Sequence, residues 1–261
     1  MQLIINNVTV SELMLLKKIE TYYNEHLILP EEFNKDNKLV INAYIAGGGA
    51  MSFYDLARTT LDIDMEIDKR ILIPRIELTQ SDMMLPNMQK LYIDGNFNPQ
   101  FGMVSDDYME NAIPVDIFKY EKDNVVIIKP YIFSPIDMIL SKLARWSPND
   151  QNDVRLLIEN NFVIKEELED KMELALMGYI GNINMLKINM NECLEMFPKF
   201  DSRFVRRNIK SNDKYMIIEY NLDELKQTNL FDENMLEKLF QTNTLSIRPT
   251  VNSNFKRKKN R

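Results

Sequence analysis

The segment AGGGAMSFYDLARTTLDIDM, from Ala46 to Met65, decides the predicted fold of this chain. An apolar run, Leu39 to Ala46, precedes it and predicts a buried strand. The three glycines Gly47, Gly48 and Gly49 then predict a turn into a short helix, Ala50 to Ala57. An alternating strand follows from Leu61 to Ile67. The order of strand, glycine turn, helix and strand indicates an α/β unit.

The glycine turn predicts a place where a ligand can approach the backbone closely. Glycine has no side chain to block that approach, and the N-terminus of the helix behind Gly49 offers N–H groups to phosphate oxygens. Glycine turns before helices are common, however, so this feature alone is a weak signal. It gains weight from the residues that follow it.

Asp62 and Asp64 lie two residues apart in the second predicted strand. Residues at this spacing project from the same face of a strand, so the two carboxylates are expected side by side. Such a pair repels itself unless a cation lies between the carboxylates. The alternative is an edge strand with a solvated polar face.

Asp116 is the third candidate carboxylate, in a predicted strand from Ile113 to Tyr120. A four-residue turn follows and leads to another predicted strand, Val125 to Lys129. If the Asp116 strand lies beside the Asp62 strand, three carboxylates converge. Such a trio can hold two divalent ions for in-line phosphoryl transfer. Asp116 alone fits a solvated strand residue equally well.

The rest of the chain is predicted to be mostly helical. Ser11 can cap a helix that reaches about Asn24, and a second helix is predicted from Ser81 to Tyr92, ahead of a loop from Asp94 to Asp107. After Tyr131 the pattern predicts a series of further helices: 134–146, 147–160, 166–179, 184–197, 222–227 and 233–241.

Three regions follow from this pattern. We expect an α+β fold in which a mixed sheet with flanking helices, residues 1–145, precedes a helical bundle, residues 146–245. A basic tail, residues 246–261, is expected to be disordered. Its end, KRKKNR, can serve as an RNA-binding or acidic-partner-binding segment, or it is simply a solvated terminus.

Composition excludes several kinds of site. The chain of 261 residues has a net charge of −7, one cysteine (Cys193) and one histidine (His26). A Cys/His zinc site or a Ser/His/Asp arrangement is therefore not expected, and any catalytic metal must bind carboxylates. Carboxylate oxygens favour Mg²⁺ or Mn²⁺. No apolar run is long enough to span a membrane, so we expect a cytoplasmic protein.

The segment from Ala46 to Met65 resembles the opening motif of the DNA polymerase β-like nucleotidyltransferase superfamily. Its G-G-x-A-[LM]…R-x-T-x-D-[IL]-D form, which includes Arg58 and Thr60, is most similar to the abortive-infection AbiEii toxin family. The resemblance implies a nucleotidyltransferase fold, an NTP substrate, and Asp62, Asp64 and Asp116 as metal ligands. Gly47 to Gly49, Arg58 and Thr60 would contribute to nucleotide binding.

A second segment, SPIDMILSKLARWSPNDQNDVRLL, resembles the later part of the same family. The resemblance implies that Lys142 contacts the triphosphate and that Asp153 is the later carboxylate, with Asp150 as the alternative. Arg145 is three residues beyond Lys142 and would share its helix face; the alternative is a solvated Lys/Arg pair. Gly49 departs from the superfamily, where many members have a Ser or Thr whose hydroxyl contacts phosphate.

These observations predict transfer of a nucleoside monophosphate from an NTP to an acceptor hydroxyl on RNA, such as a tRNA end, or on a protein. The family resemblance adds a toxin or phage-defence role with a possible antitoxin partner. The alternative is a catalytically inactive protein that keeps the fold to bind nucleotide, nucleic acid or a partner.

Overall fold

A computed structural model describes residues 3–56, 62–69, 71, 77–79, 90–94, 104–198, 215–217 and 222–242. Eight strands are assigned within these residues: β1 Leu3–Ile5, β2 Leu39–Ile45, β3 Asp62–Ile67, β4 Glu77–Thr79, β5 Lys90–Asp94, β6 Ile113–Pro114, β7 Val126–Ile132 and β8 Tyr215–Ile217. Six of them form one mixed sheet in the order β4-β5-β3-β2-β7-β6. The predicted α+β class with a mixed sheet is confirmed.

Nine helices are assigned within the same described residues: α1 Asn7–His26, α2 Gly47–Ser52, α3 Tyr108–Asn111, α4 Pro135–Leu143, α5 Pro148–Glu159, α6 Lys165–Gly178, α7 Ile183–Glu195, α8 Leu222–Gln227 and α9 Glu233–Thr242. The predicted helices after residue 131 are all present, within a few residues of their expected bounds. Helix α2 begins inside the glycine run, so the glycines form its first turn and not a loop before it.

Strand β2 lies at the centre of the sheet, antiparallel to β3 and parallel to β7. The register places Ile45 opposite both Met65 and Ile132. The glycine turn after β2, the start of β3 and the end of β7 therefore meet at one edge of the sheet. This edge is where the candidate site lies.

Helix α1 covers one face of the sheet and forms the core with it. Asn6 caps the helix in a reciprocal capping box with Thr9, which fixes its start. The fully or almost fully buried apolar residues of the two layers include Leu13, Leu16, Ile19, Ile41, Ile45, Ile63, Val126, Ile128 and Ile132. Burying each such side chain stabilises the fold by about 1.5 to 3 kcal/mol before entropy is counted.

Polar contacts fix α1 against the first half of β7. The Asn24 amide oxygen accepts from the backbone N–H groups of Val125 (2.8 Å) and Val126 (2.9 Å). The buried Glu20 carboxylate accepts from Ile128 N at 2.8 Å. These bonds hold β7 in place beside β2, and β7 leads directly to the start of α4.

Four predicted elements need correction. The helix expected to be capped by Ser11 begins at Asn7 and is capped by Asn6. The strand expected from Ile113 to Tyr120 is limited to Ile113–Pro114. The helix expected from Ser81 to Tyr92 cannot be correct at its end, because residues from Lys90 belong to strand β5. The helix expected to reach Trp146 ends at Leu143. Trp146 has a φ of 51°, a left-handed conformation in which a helix cannot continue.

The C-terminal region returns to the α/β part of the chain. Strand β8 pairs in parallel with β1, with Leu3 opposite Tyr215. Phe231 forms a bridge with Phe118, and Lys119 N donates to Leu230 O at 2.7 Å. The predicted boundaries at residues 145 and 245 stay a prediction, and the basic tail lies outside the described residues. Among the described helices, none has the length and apolar character needed to cross a membrane.

Candidate functional site

The carboxylate of Asp64 lies directly against the glycine turn. Gly47 has a φ of +58°, and a Cβ atom added to it would lie 1.9 Å from Asp64 Oδ2. The backbone supports the same arrangement, because Ala46 N donates to Asp64 O at 2.9 Å. Only glycine combines this backbone conformation with such a close approach. The glycine turn and the strand that carries Asp64 are therefore in direct contact in the structure.

Gly49 lies on the other side of the turn, towards the core. A Cβ atom there would be 3.2 Å from the Ile45 side chain and 3.3 Å from that of Ile63. Glu12 Oε1 would lie 3.6 Å from the same Cβ atom, so a side chain added here would meet close apolar contacts and a carboxylate oxygen. Gly49 is therefore closely packed at the position where the resemblance implies a Ser or Thr in many superfamily members.

A buried glutamate contacts helix α2 beside the glycine turn. Glu12 of α1 is fully buried, and both its carboxylate oxygens lie 3.0 Å from Ser52 Oγ of α2. Ser52 Oγ also approaches Gly49 O, at 2.5 Å. Burial raises the pKa of Glu12 well above its ordinary value, and the hydrogen bond from Ser52 opposes that rise only partly. Glu12 is not among the site residues predicted from the sequence.

The glycine turn is also connected to the start of α4. Phe133, which follows β7, donates its N–H to Ile45 O at 3.0 Å. The buried Tyr54 hydroxyl, just after α2, donates to Phe133 O. The two bonds connect the end of β2, the exit of α2 and the entry to α4, so the helical region is held against the edge that carries Asp64.

The other predicted residues of the Ala46–Met65 motif are described only in part. Asp62 is the first residue of β3, two residues before Asp64 on the same strand, and its side chain lies outside the described residues. Arg58 and Thr60 also lie outside the described residues. Their predicted roles stay predictions.

Asp116 is not on a strand beside Asp62. It lies in an exposed turn, two residues beyond the end of β6. Strand β6 pairs with β7 and not with β3, so the neighbouring-strand placement expected for Asp116 is wrong. Its role as a third carboxylate stays a prediction, now without the strand geometry on which it was based.

The register of β5 on β3 places the backbone of a further acidic residue beside Asp64, and the side chain of that residue lies outside the described part of the structure. Asp94 is the last residue of β5 and is the Cα partner of Asp64 across the parallel pair. Asp94 was not among the predicted site residues, because the sequence predicted a loop that starts at this residue. The signal was available: Leu91 and Ile93 alternate with Tyr92 and Asp94, and Gly95 follows, which is typical of a strand end.

A network of four charged side chains occupies the corner between α4 and α5. Lys142 Nζ lies 2.8 Å from Asp153 Oδ2 and 3.8 Å from Asp150 Oδ1. Arg145 forms a bidentate pair with Asp150, with Nε to Oδ2 at 2.8 Å and Nη2 to Oδ1 at 2.6 Å. The structure thus brings together Lys142 with both carboxylates that the family resemblance implied.

The corner is built by the local sequence. Ser147 and Asp150 form a capping box at the start of α5, with Pro148 in its first turn. Trp146 connects the corner to α7, because its indole N–H donates to the Glu192 carboxylate at 2.7 Å. Arg145 lies in the turn after α4, yet it shares Asp150 with Lys142, so the two cations lie together as the spacing predicted.

Electrostatics connect this corner with the carboxylates of the sheet edge. Hydrogen bonding to Asp150 raises the pKa of Arg145, and the negative charges of Asp64 and Asp153 raise it further. Burial opposes ionisation of Asp150, but its hydrogen bonds to Arg145 and Ser147 outweigh that effect and lower its pKa to about 2. Arg145 is thus close enough to Asp64 for their charges to interact.

The donor set fits a hard divalent cation. No group of three or more His, Cys, Asp or Glu side chains that could hold a metal is found among the described residues. The sheet edge nevertheless places the backbone of Asp62, Asp64 and Asp94 together, with the Asp64 carboxylate in the cradle that Gly47 leaves open. Oxygen-only donors of this kind are what Mg²⁺ and Mn²⁺ prefer.

Comparison with known proteins identifies the family. Residues 27–173 match a family described as "Nucleotidyltransferase of unknown function (DUF6036)". The matched region contains the glycine turn, the Asp62 and Asp64 strand, Asp94 and the whole α4–α5 corner. The chain matches no curated protein and no solved structure. Since the match covers more than half of its length, the chain belongs to this nucleotidyltransferase family.

Proposed function

We propose that this protein is a metal-dependent nucleotidyltransferase that moves a nucleoside monophosphate from an NTP to an acceptor hydroxyl and releases pyrophosphate. The observation that carries the proposal is the contact between Asp64 and Gly47 in a member of a nucleotidyltransferase family. It places a carboxylate suited to a metal directly against a turn whose backbone N–H groups would face phosphate oxygens.

The carboxylates of the sheet edge are the proposed metal ligands. Asp62 and Asp64 would hold Mg²⁺ or Mn²⁺, and Asp94 is a better third ligand than Asp116 because its strand adjoins β3. A metal held by these residues would supply positive charge to the triphosphate and to the charge that develops during in-line transfer. The third carboxylate would accept the proton of the attacking hydroxyl.

The phosphate groups are proposed to lie between the glycine turn and the cationic corner. The N–H groups of Gly47 to Gly49 would face the phosphates from one side. Lys142 and Arg145 supply positive charge from the α4–α5 side, where Arg145 interacts with the charge of Asp64. Holding both reactants in one geometry is the main contribution that a protein makes to phosphoryl transfer.

The acceptor and the biological role rest on the sequence resemblance. The likeness of the Ala46–Met65 motif to the AbiEii toxin family favours an RNA acceptor, such as a tRNA end, or a protein acceptor. It also favours a toxin or phage-defence role in the cytoplasm of a bacterium, with an antitoxin as partner. These features belong to the proposal alone.

Calorimetric titration with each NTP, in the presence and absence of Mg²⁺, tests the proposal. Wild type should bind at least one NTP in a Mg²⁺-dependent manner, and Asp64→Asn should lose that dependence. Asp123→Asn is the matched control, since Asp123 is exposed in the loop before β7 and pairs only with exposed Lys35 among the described residues. Wild type that binds no NTP contradicts the proposal.

Activity separates an enzyme from an inactive relative that keeps the nucleotide site. Incubation with α-phosphate-labelled NTP, Mg²⁺ and total cellular RNA or protein should label one acceptor class. The label should be absent with an Asp62→Asn, Asp64→Asn double variant. Tight Mg²⁺-dependent binding without any labelled product would favour the alternative, a nucleotide-binding module.

A further inference from the structure

The two cations of the α4–α5 corner have different environments. Lys142 has a side chain that is only 4% exposed, and its Nζ is already held by Asp153 at 2.8 Å. Arg145 has a side chain that is 67% exposed, although its partner Asp150 is fully buried. Of this pair, only Arg145 presents its charge to solvent.

The bidentate pair leaves part of the Arg145 guanidinium available. A guanidinium has five N–H donors in a rigid fork, and the pair with Asp150 uses one on Nε and one on Nη2. The three remaining donors, including both on Nη1, have no partner among the residues that the structure describes. An arginine anchored in this way is already oriented for a second anion, because little side-chain freedom is left to lose.

The position of Arg145 relative to Asp64 indicates which kind of anion the guanidinium would bind. The negative charge of Asp64 contributes to the raised pKa of Arg145, so the guanidinium lies within electrostatic range of the proposed metal site. An anion between Arg145 and a metal on Asp64 would meet positive charge from both sides. A polyphosphate has the length and the oxygen donors to contact both at once.

We propose that Arg145, oriented by Asp150, binds the outer phosphates of the nucleotide, and that Lys142 stays inside as the counter-ion of Asp153. This inference rests on the proposed function and assigns the triphosphate contact to a different residue from the one that the family resemblance implies. It also gives Asp150 a role, namely to hold the guanidinium in place.

The test compares Arg145→Gln with Arg155→Gln by calorimetric titration. Arg155 is exposed on the neighbouring helix α5, so its substitution removes the same charge without touching the corner. The ligands are the Mg²⁺ complex of the NTP that wild type binds best and the corresponding NMP. Circular dichroism and urea unfolding establish that each variant is folded.

Arg145→Gln should weaken NTP binding about 10- to 100-fold, the effect of one charge-assisted contact. Binding of the NMP should be unchanged, and Arg155→Gln should match wild type for both ligands. If Arg145→Gln does not fold, Arg145→Lys serves instead, because it keeps a charge beside Asp150 but loses the fork. It should lower NTP affinity several-fold and leave NMP affinity unchanged.

Two results would overturn the assignment while leaving the proposed function intact. One is wild-type NTP affinity in a folded Arg145 variant. The other is an equal loss of affinity for NTP and for NMP, which would show that Arg145 makes no specific contact with the outer phosphates. Failure of the proposed function is distinguishable, because it appears in the wild type as an absence of Mg²⁺-dependent NTP binding.

Discussion

A methyl group on Gly47 would lie 1.9 Å from Oδ2 of Asp64, so the turn and the carboxylate fit together only when residue 47 is glycine. This relationship makes a backbone position part of the candidate site. It also means that a small apolar substitution can disturb a charged group on another strand.

Gly47→Ala should therefore reduce both stability and Mg²⁺-dependent NTP binding. The left-handed conformation alone costs a non-glycine residue about 1 to 2 kcal/mol, and displacement of Asp64 adds to this. Urea unfolding and calorimetry measure the two effects. Gly178→Ala is the control: nothing lies within 4 Å of its added Cβ, so stability should rise by up to about 1 kcal/mol. Equal changes in stability and NTP binding for Gly47→Ala and Gly178→Ala would count against the contact between Gly47 and Asp64.

Lys142→Met should destabilise the protein strongly. It removes the ammonium group that lies 2.8 Å from the buried Asp153 carboxylate, and the loss of one partner of a buried pair costs about 3 to 5 kcal/mol. Lys165→Met is the control, because Lys165 forms a surface pair with Glu169 that is worth no more than about 1 kcal/mol. Denaturant unfolding compares the two. A loss below about 1 kcal/mol for Lys142→Met would mean that the buried pair does not form.

Glu12→Gln should stabilise the protein at neutral pH. Burial raises the pKa of Glu12 in the folded state, so its contribution is fully present below the unfolded pKa of about 4.3 and is lost as pH rises. Glutamine carries no charge, keeps a hydrogen bond to Ser52 and avoids this loss. The gain should be on the order of 1 to 3 kcal/mol at pH 7 and should disappear near pH 4.

Urea unfolding at several pH values between 4 and 8 measures this difference. Glu110→Gln, on the exposed surface of α3, controls for the change in net charge and should stay within about 0.5 kcal/mol of wild type. A Glu12→Gln variant that is less stable than wild type at pH 7 would show that the carboxylate is stabilised, and not penalised, by its site.

Asp94→Asn and Asp116→Asn discriminate between the two candidates for the third carboxylate. Asp94 adjoins Asp64 in the register of β5 on β3, so Asp94→Asn should weaken Mg²⁺-dependent NTP binding by about tenfold or more. Asp116 lies in an exposed turn on the opposite flank of the sheet, and its variant should bind as wild type does. The reverse result would restore Asp116 to the site. Calorimetry with and without Mg²⁺ gives the answer.

The sequence predicted those parts of the site that depend on local patterns. The strand that carries Asp62 and Asp64, the caps Ser134 and Ser147, and the helices after residue 131 all have signals within a few residues of themselves. Local spacing decides such elements because capping and alternation act over one or two turns of chain.

The misplacement of Asp116 came from contacts that local spacing cannot show. Val115 and Ile117 alternate with polar residues as a strand would, but Ile117 O accepts from Asp232 N, and Phe118 bridges to Phe231. These partners lie more than a hundred residues along the chain. The segment leaves β7 after Val115, whose N–H still donates to Pro130 O at 2.9 Å. The assignment of Asp94 to a loop has a similar cause, since β5 is a strand by virtue of its pairing with β3 and β4.

The parallel pairing of β1 with β8 has a consequence for how the chain folds during synthesis. Leu3 to Ile5 leave the ribosome long before their partners, Tyr215 to Ile217, which lie more than 200 residues later in the chain. Helix α1 and the six-stranded sheet can assemble earlier, but the apolar edge of β1 must wait for β8. During that interval an unpaired strand edge is exposed to other chains, which is a known route to aggregation. The nascent protein is therefore most in need of a chaperone until Tyr215 to Ile217 have been synthesised.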